Sequence, residues 1–162
     1  MEEKVKEIYM IKHIVFDHDG TLVNMQEGRM LFPGIQELLT ELSNKGIKLY
    51  VWTARDRYSC IKILKSLDII GIFEDISTAT DCEPKPNPQG LKDMLDGVDA
   101  NEVAMIGDSF TDMLGATNYG ALAVGVTWDN PTTRVREVLL ETGAKHICAT
   151  VDECKKLLLK NI

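Results

Sequence analysis

The sequence predicts an α/β fold: a doubly wound, Rossmann-like parallel sheet with helices on both of its faces. Short apolar segments rich in β-branched residues alternate along the chain with segments whose apolar residues recur at helical spacing. Single helices between successive strands produce right-handed β-α-β crossovers, which make the strands parallel. The chain has 162 residues, 44% of them apolar, and no repeat or low-complexity run. We therefore expect one domain, over residues 1–162.

Two strands and two helices are predicted before residue 70. Residues 12–16 and 47–52 read as strands because both segments are apolar and contain β-branched residues. Pro33 opens the first helix and Gly46 follows its end, while Asp56 caps the second helix. The residues predicted to face the core are Ile35, Leu38, Leu39 and Leu42 in the first helix, and Ile61, Leu64 and Leu67 in the second.

The same alternation continues to the end of the sequence. Three prolines within residues 84–88 predict an extended loop, because they forbid both helix and ladder pairing. Residues 1–10 carry no pattern that assigns them to an element. The remaining predicted strands are residues 76–79, 103–106, 122–126 and, at an edge, 145–148. The remaining predicted helices are residues 89–95, 111–119, 132–142 and 152–159.

Composition excludes several classes of protein. The chain carries 18 Lys and Arg against 25 Asp and Glu, a net charge of −7, which argues against non-specific nucleic-acid binding. Its apolar runs are far shorter than the roughly 20 residues of a membrane span, and its N-terminus lacks a secretory signal, so we expect a cytoplasmic protein. The four cysteines form no C-x-x-C pair and are expected to be reduced thiols in the core.

Polar residues follow the first and second predicted strands. In open α/β sheets, ligands bind beyond the carboxyl ends of the strands. Asp17 and Asp19 follow the first strand, and Gly20 allows the turn that lets each face a small ligand from a different side. Thr53 and the N–H of Ala54 follow the second strand, where a helix begins and an anion is favoured. Each segment alone also fits an ordinary turn or strand end.

The other two polar segments are a lysine in the proline loop and acids after the fourth strand. Lys85 lies in that loop, and Asp108 and Asp112 follow residues 103–106. A lysine on its own is usually a solvated charge at the surface. Asp108 on its own could be no more than a helix cap. Together, several carboxylates at one sheet edge repel each other unless a cation intervenes. A hard divalent ion, magnesium by preference, together with Lys85 would neutralise them.

These motifs, in this order, resemble the haloacid dehalogenase-like (HAD) hydrolase superfamily, whose members are mostly phosphatases. The resemblance covers nearly the whole chain. Its four signatures are Asp17-x-Asp19-Gly20-Thr21, Thr53 after an apolar strand, Lys85 in Lys-Pro-Asn-Pro, and Gly107-Asp108-x-x-x-Asp112.

The resemblance implies a role for each of these residues. Asp17 would be the nucleophile that becomes an aspartyl phosphate, and Asp19 the general acid and base, with a pKa raised above that of Asp17 by crowding or burial. Magnesium would bind the side chains of Asp17 and Asp108 and the backbone carbonyl of Asp19. No other cofactor is implied. Asp112 would support the metal from behind or through a metal-bound water, and the phosphoryl oxygens would be held by Thr53, Ala54 and Lys85.

The spacing of the signatures implies the type without a cap domain. Asp17 and Thr53 are 36 positions apart and Thr53 and Lys85 are 32, which leaves room for one helix and one strand in each interval. The site would be open except for a short flap over residues 22–31. Either a large substrate or a neighbouring copy in a homo-oligomer, touching Met25, Met30 and Leu31, would then cover it.

The implied reaction is hydrolysis of a small phosphorylated metabolite: a sugar phosphate, phosphoglycolate or a nucleotide. A macromolecular substrate, a phosphate-binding switch without turnover, and a vestigial site are the alternatives. His18, Arg55 and Trp128 are candidate substrate contacts. His18 could equally be buried against the sheet, and a salt bridge to Asp56 or to a neighbour on the helix is the more common role for such an arginine.

Overall fold

The computed structural model describes residues 9–162, and the segment before them lies outside the description. The described chain contains eight strands: β1 (His13–Phe16), β2 (Val23–Asn24), β3 (Met30–Leu31), β4 (Lys48–Trp52), β5 (Asp75–Ser77), β6 (Val103–Gly107), β7 (Leu122–Val126) and β8 (His146–Cys148).

Six of these strands form one parallel sheet in the order β5-β4-β1-β6-β7-β8. The chain moves outward from β1 through β4 to β5, then returns to the other side of β1 and moves outward again through β6 and β7 to β8. Strand order therefore reverses beside β1, and the crevice beyond its carboxyl end is where such sheets bind ligands. The strands β2 and β3 form a separate antiparallel hairpin.

Six α-helices in the described part of the chain cover the two faces of the sheet: α1 (Ile35–Asn44), α2 (Arg57–Ser66), α3 (Gln89–Met94), α4 (Phe110–Tyr119), α5 (Thr133–Glu141) and α6 (Val151–Leu159). One apolar cluster joins the sheet to α1, α2 and α6, and a second joins it to α3, α4 and α5. Alternate residues of β1 show the division, because Ile14 and Phe16 belong to the first cluster and Val15 to the second. The doubly wound fold is confirmed.

The predicted elements are all present, with corrections in detail. The core face of α2 consists of Cys60, Ile63 and Leu64, so the prediction that Ile61 faces the core is wrong. The proline segment is a loop, but a tight one, because the N–H of Asn87 donates to the carbonyl of Pro84 at 3.1 Å. That i to i+3 bond forms a turn where the prolines had suggested an extended chain.

The two intervals between Asp17, Thr53 and Lys85 contain few secondary-structure elements. Between Asp17 and Thr53 the chain forms the β2–β3 hairpin, α1 and β4, and between Thr53 and Lys85 it forms α2, a 3₁₀ turn (Ile70–Ile72) and β5. Within residues 9–162, no helix combines the length and the apolar character needed to cross a membrane.

Three of the four cysteines are free thiols in the core, as predicted. These are Cys60, Cys148 and Cys154, all buried. Cys82 lies in a loop after β5 and is partly exposed, so the prediction of a core position is wrong for it.

Candidate active site

The carboxyl ends of β1, β4 and β6 bring the predicted residues into one cleft. Asp17 directly follows β1, and its backbone N–H donates to the carbonyl of Ile106 at 2.9 Å, which continues the ladder with β6. Thr53 follows β4 and donates from its backbone to Ser77 at 3.0 Å. Asp108 follows β6. The cleft encloses about 470 Å³, and Asp17, Asp19, Ala54, Arg55, Lys85 and Asp108 are among its lining residues.

Lys85 forms a buried ion-paired cluster with two acids, which we call the inner cluster. Its Nζ lies 2.9 Å from Oδ1 of Asp17 and 2.6 Å from Oδ1 of Asp112. The Lys85 side chain is only 3% exposed. Burial alone would lower the pKa of Lys85, but the charges of Asp112 and Asp17 outweigh it and raise the pKa above its usual value. Lys85 is thus held as a cation.

Asp112 is fixed by the start of α4. Its Oδ2 accepts bonds from the backbone N–H of Ser109 at 3.1 Å and from the Ser109 hydroxyl at 3.0 Å. The two residues form a reciprocal capping box. Asp112 also lies so close to Gly107 that a Cβ there would overlap its carboxylate. The small residue and the cap together aim Asp112 at Lys85.

Three carboxylates converge at this point. Oxygens of Asp17, Asp108 and Asp112 all lie within 4.8 Å of one another. Burial and the neighbouring Asp17 raise the pKa of Asp108 to about 9, and burial and Asp17 raise that of Asp112 to about 6 despite Lys85. One lysine therefore does not balance the three acids. A cluster of hard oxygen donors with excess negative charge fits a divalent cation such as Mg²⁺.

Asp19 pairs with Arg55, and we call these two residues the outer pair. Arg55 donates from Nε to Oδ1 of Asp19 at 2.9 Å and from its guanidinium to Oδ2 at 2.7 Å. Nδ1 of His18 lies 2.5 Å from the same Oδ1. Burial alone would raise the pKa of Asp19, but the hydrogen bonds from His18 and Arg55 outweigh it and lower the pKa. The expected raised pKa of Asp19 is therefore wrong for this arrangement.

The candidate substrate contacts differ from expectation. His18 is fully buried, so the structure favours burial against the sheet over contact with a substrate. Arg55 forms its salt bridge with Asp19, and neither Asp56 nor a charged neighbour on the helix is its partner. Trp128 donates from Nε1 to the carbonyl of Thr21 at 3.1 Å and packs edge-on against Phe32. Trp128 therefore supports the loop that follows Asp17.

The segment after β4 has a defined arrangement at the edge of the cleft. Thr53 is buried, and its hydroxyl oxygen accepts a bond from the backbone N–H of Arg55 at 3.0 Å. Ala54 is exposed at the cleft. Asp56 caps α2 as predicted, because its carboxylate accepts from the N–H of Ser59 at 2.9 Å.

Sequence reasoning missed a residue that supports Lys85. The ammonium of Lys85 lies 5.1 Å from the ring centroid of Trp52, the last residue of β4. Gly90 and Gly115 approach this ring so closely that a Cβ at either position would overlap it. A large aromatic residue just before Thr53 was the available signal, but nothing in the sequence pairs it with two distant glycines.

Comparison with known proteins decides the family. The family model for haloacid dehalogenase-like hydrolases matches residues 27–126, which is 100 of the 162 residues. The chain belongs to the haloacid dehalogenase-like hydrolases. The part of this hydrolase that the family model matches includes Thr53, Lys85, Asp108 and Asp112, and it begins after Asp19.

Curated relatives of the hydrolase are longer proteins. Probable phosphatase IndB of Dickeya dadantii is 37% identical over 108 residues, which are 64% of this chain and 46% of that protein. Pyrophosphatase PpaX of Bacillus thuringiensis is 30% identical over 131 residues, 78% of this chain and 58% of the relative. The chain thus spans about half the length of these two relatives.

Solved structures share the fold of the hydrolase. A predicted phosphatase from Clostridium acetobutylicum superposes with a TM-score of 0.81 at 20% identity, over 94% of this chain and 99% of that one. A HAD-superfamily hydrolase from Ehrlichia chaffeensis gives a TM-score of 0.78 at 14% identity, over 94% and 98% of the two chains. At these identities the likeness concerns the fold alone.

Proposed function

We propose that the chain is a magnesium-dependent phosphatase that hydrolyses phosphate monoesters through an aspartyl phosphate on Asp17. The observation that carries the proposal is the inner cluster beside Asp108. Lys85 reaches Asp17 from 68 residues away, and carboxylates that follow β1 and β6 meet within 4.8 Å. A nucleophile, a fixed cation and a set of metal donors are what phosphoryl transfer requires. The names of the relatives IndB and PpaX, a phosphatase and a pyrophosphatase, support the same chemistry.

The first step forms one bond to phosphorus and breaks another. An oxygen of Asp17 attacks phosphorus, and the bond to the bridging oxygen breaks. That oxygen takes a proton from Asp19, which binds the proton only after it has left Arg55, because the bonds from His18 and Arg55 lower its pKa. Water then attacks the aspartyl phosphate and returns a proton to Asp19, which releases inorganic phosphate and regenerates Asp17. Thr53, the N–H of Ala54 and Lys85 bind the phosphoryl oxygens, whose charge grows in the transition state.

Magnesium would be held by the side chains of Asp17 and Asp108 and by the backbone carbonyl of Asp19. The chemistry it supplies when bound is neutralisation of these carboxylates and of the phosphoryl oxygens. Asp112 orients this group of ligands, since both of its own oxygens are already used by Lys85 and Ser109. The substrate is a small phosphorylated metabolite in the cytoplasm: a sugar phosphate, phosphoglycolate or a nucleotide.

The first prediction tests the nucleophile. Asp17→Asn should lower the rate of phosphate release from an aryl phosphate in Mg²⁺ by at least about 1,000-fold, because an amide neither attacks phosphorus nor balances Lys85. Asp96→Asn, which replaces an exposed acid outside the cleft, is the matched control and should retain activity. Protein quenched in acid during turnover should gain the mass of one phosphoryl group, and this adduct should be absent from Asp17→Asn.

A phosphate-binding switch is the second candidate, and the same assay separates it. A switch would be labelled once and would release no more than one phosphate per chain. Many turnovers with Mg²⁺ and none with a chelator exclude it. Full activity of Asp17→Asn, or turnover that is indifferent to chelator, would contradict the proposed mechanism.

A further inference from the structure

Both carboxylate oxygens of Asp19 are occupied. Oδ1 accepts from Nε of Arg55 at 2.9 Å and lies 2.5 Å from Nδ1 of His18, while Oδ2 accepts from the Arg55 guanidinium at 2.7 Å. A carboxyl group that gives a proton to a leaving oxygen must present one of its oxygens to that atom. Under the proposed function, the bond from Arg55 to Oδ2 must therefore open before Asp19 can act.

Arg55 is the more exposed of the two cations that line the described cleft. Two cationic residues are among the described residues that line the cleft, Arg55 and Lys85. The Lys85 side chain is 3% exposed and is held by two buried acids, whereas Arg55 is 20% exposed and its partner Asp19 is 45% exposed. An ion pair open to water on both sides exchanges partners at low cost. Arg55 can therefore accept a different anion.

The position of Arg55 identifies which part of the substrate it meets. Asp19 must touch the bridging oxygen, and the Arg55 guanidinium lies within hydrogen-bond distance of the Asp19 carboxylate. Groups carried close to that oxygen by the leaving group therefore enter the reach of Arg55. A guanidinium presents parallel N–H donors, which match a carboxylate or a phosphate in bidentate geometry.

We propose that Arg55 selects phosphate esters and anhydrides whose leaving group carries a second anion, a carboxylate or a phosphate, next to the bridging oxygen. The inference rests on the proposed phosphatase function and names its substrate class. The second anion replaces Asp19 as the partner of Arg55, and Asp19 turns to the leaving oxygen. A neutral leaving group offers no replacement, so Asp19 leaves Arg55 only by exposing both charges to water. Arg55 is thus a specificity-determining residue.

The test compares leaving groups with and without the second anion. Phosphoglycolate carries a carboxylate, inorganic pyrophosphate carries a phosphate, and 2-hydroxyethyl phosphate is the neutral match for the first. We expect kcat/KM of the wild type in saturating Mg²⁺ to be at least about 10-fold higher for one or both anionic substrates, given the strength of charge-assisted bonds. The substrate that shows the preference identifies the second anion as carboxylate or phosphate.

Arg55→Gln should lower the ratio of kcat/KM between anionic and neutral substrates by about 10- to 100-fold. The ratio is the decisive quantity because a general effect on Asp19 cancels in it. Arg55→Lys keeps the charge without the planar fork and should give an intermediate ratio. Arg57→Gln is the matched control, since Arg57 begins α2 and pairs with Asp81 at 2.8 Å outside the cleft. Its ratio should equal that of the wild type.

A binding measurement makes the result independent of turnover. In an Asp17→Asn background, calorimetry should show phosphoglycolate binding that weakens about 10-fold or more when Arg55 is also replaced. Equal ratios for wild type and Arg55→Gln, or the same loss in Arg57→Gln, would overturn the inference alone. If the wild type hydrolyses the aryl phosphate but none of the three substrates, the inference alone fails. If it hydrolyses none of the four, the proposed phosphatase function fails as well.

Discussion

The inner cluster and the outer pair place opposite charges together in the same cleft, yet their physical situations differ. Lys85 and Asp112 are 3% and 0% exposed in their side chains, whereas Arg55 and Asp19 are 20% and 45% exposed. The inner ion pairs are buried away from water, so no water molecule can take the place of either partner and the pairs keep one geometry. The outer pair is hydrated and can exchange its partner. Under the proposed function, the inner cluster would be a fixed anchor for phosphate and the outer pair an adjustable contact for the leaving group.

The difference follows from where each cation enters the cleft. Lys85 comes from a proline-rich turn and lies beside Trp52, under the ends of the strands. Arg55 comes from the short segment between β4 and α2, where one of its guanidinium nitrogens also donates to Ser59 at 3.3 Å. We therefore expect Lys85 to contribute more than Arg55 to the stability of the fold. Five substitutions test how tightly the different parts of the cleft are held.

Removing the inner cation should have the largest effect on stability. Lys85→Met leaves Asp17 and Asp112 without their shared counter-charge, so we expect the free energy of unfolding to fall by about 3–5 kcal/mol. Arg55→Met leaves Asp19 open to water and should cost about 0–1 kcal/mol. Urea denaturation with chelator present measures both. Equal losses for the two variants would show that the inner cluster is not the more tightly coupled site.

The turn between Asp19 and the hairpin should show the next largest effect. Gly20 has φ of +80°, and a Cβ there would overlap the Asp108 carboxylate. Gly28 has φ of +75° but no atom within 4 Å of a Cβ. We expect Gly20→Ala to lower the free energy of unfolding by about 2–3 kcal/mol and Gly28→Ala by about 1 kcal/mol. Alanine is strained at a positive φ in both places, and at Gly20 its Cβ also overlaps Asp108. Thermal unfolding of the two variants measures the difference, and equal costs would mean that Asp108 has room to move.

The sequence predicted the strands, the helices and the order of the chemical residues because these depend on local patterns. The apolar segment before Asp17 and the glycine stop after α1 are both readable within a few positions. The parallel order followed from the crossover rule, which is general for such alternation. The placement of Asp17, Lys85 and Asp108 at one end of the sheet followed from the same rule.

What could not be predicted is which charge pairs with which. Arg55 and Asp19 are 36 residues apart, and nothing in the sequence distinguishes that pair from one with Asp56 next door. The pKa of Asp19 was expected to be raised by crowding or burial, and it is lowered because the hydrogen bonds from His18 and Arg55 outweigh burial. The orientation of His18 into the fold and the contact of Trp128 with Phe32 depend on rotamers and on packing. Such contacts depend on the folded structure more than on local pattern.

The smallest effect on stability should come from Asp108, for which the described residues provide no ion-paired cation. Its sign is opposite, because replacing Asp108 should stabilise the metal-free protein. The pKa of Asp108 is raised to about 9, above the ordinary 3.8 of an unfolded chain, so the folded state binds its proton more tightly. Stability of the metal-free protein therefore falls as pH rises from about 4 to about 9, and Asp112, with a pKa of about 6, adds to the slope only at the lower end. Asp108→Asn removes this titration, so its stability should gain up to about 1.4 kcal/mol on that of the metal-free wild type for each pH unit between about 6.5 and 8.5. Urea denaturation at a series of pH values between about 6.5 and 8.5 should show a falling stability for the wild type and a flatter profile for the variant.

Excess Mg²⁺ should reverse the order of the two proteins, because the wild type keeps the full set of donors and gains more from binding. A variant that follows the wild-type profile in chelator would show that Asp108 carries no excess charge, and the inner cluster would then already be balanced by Lys85.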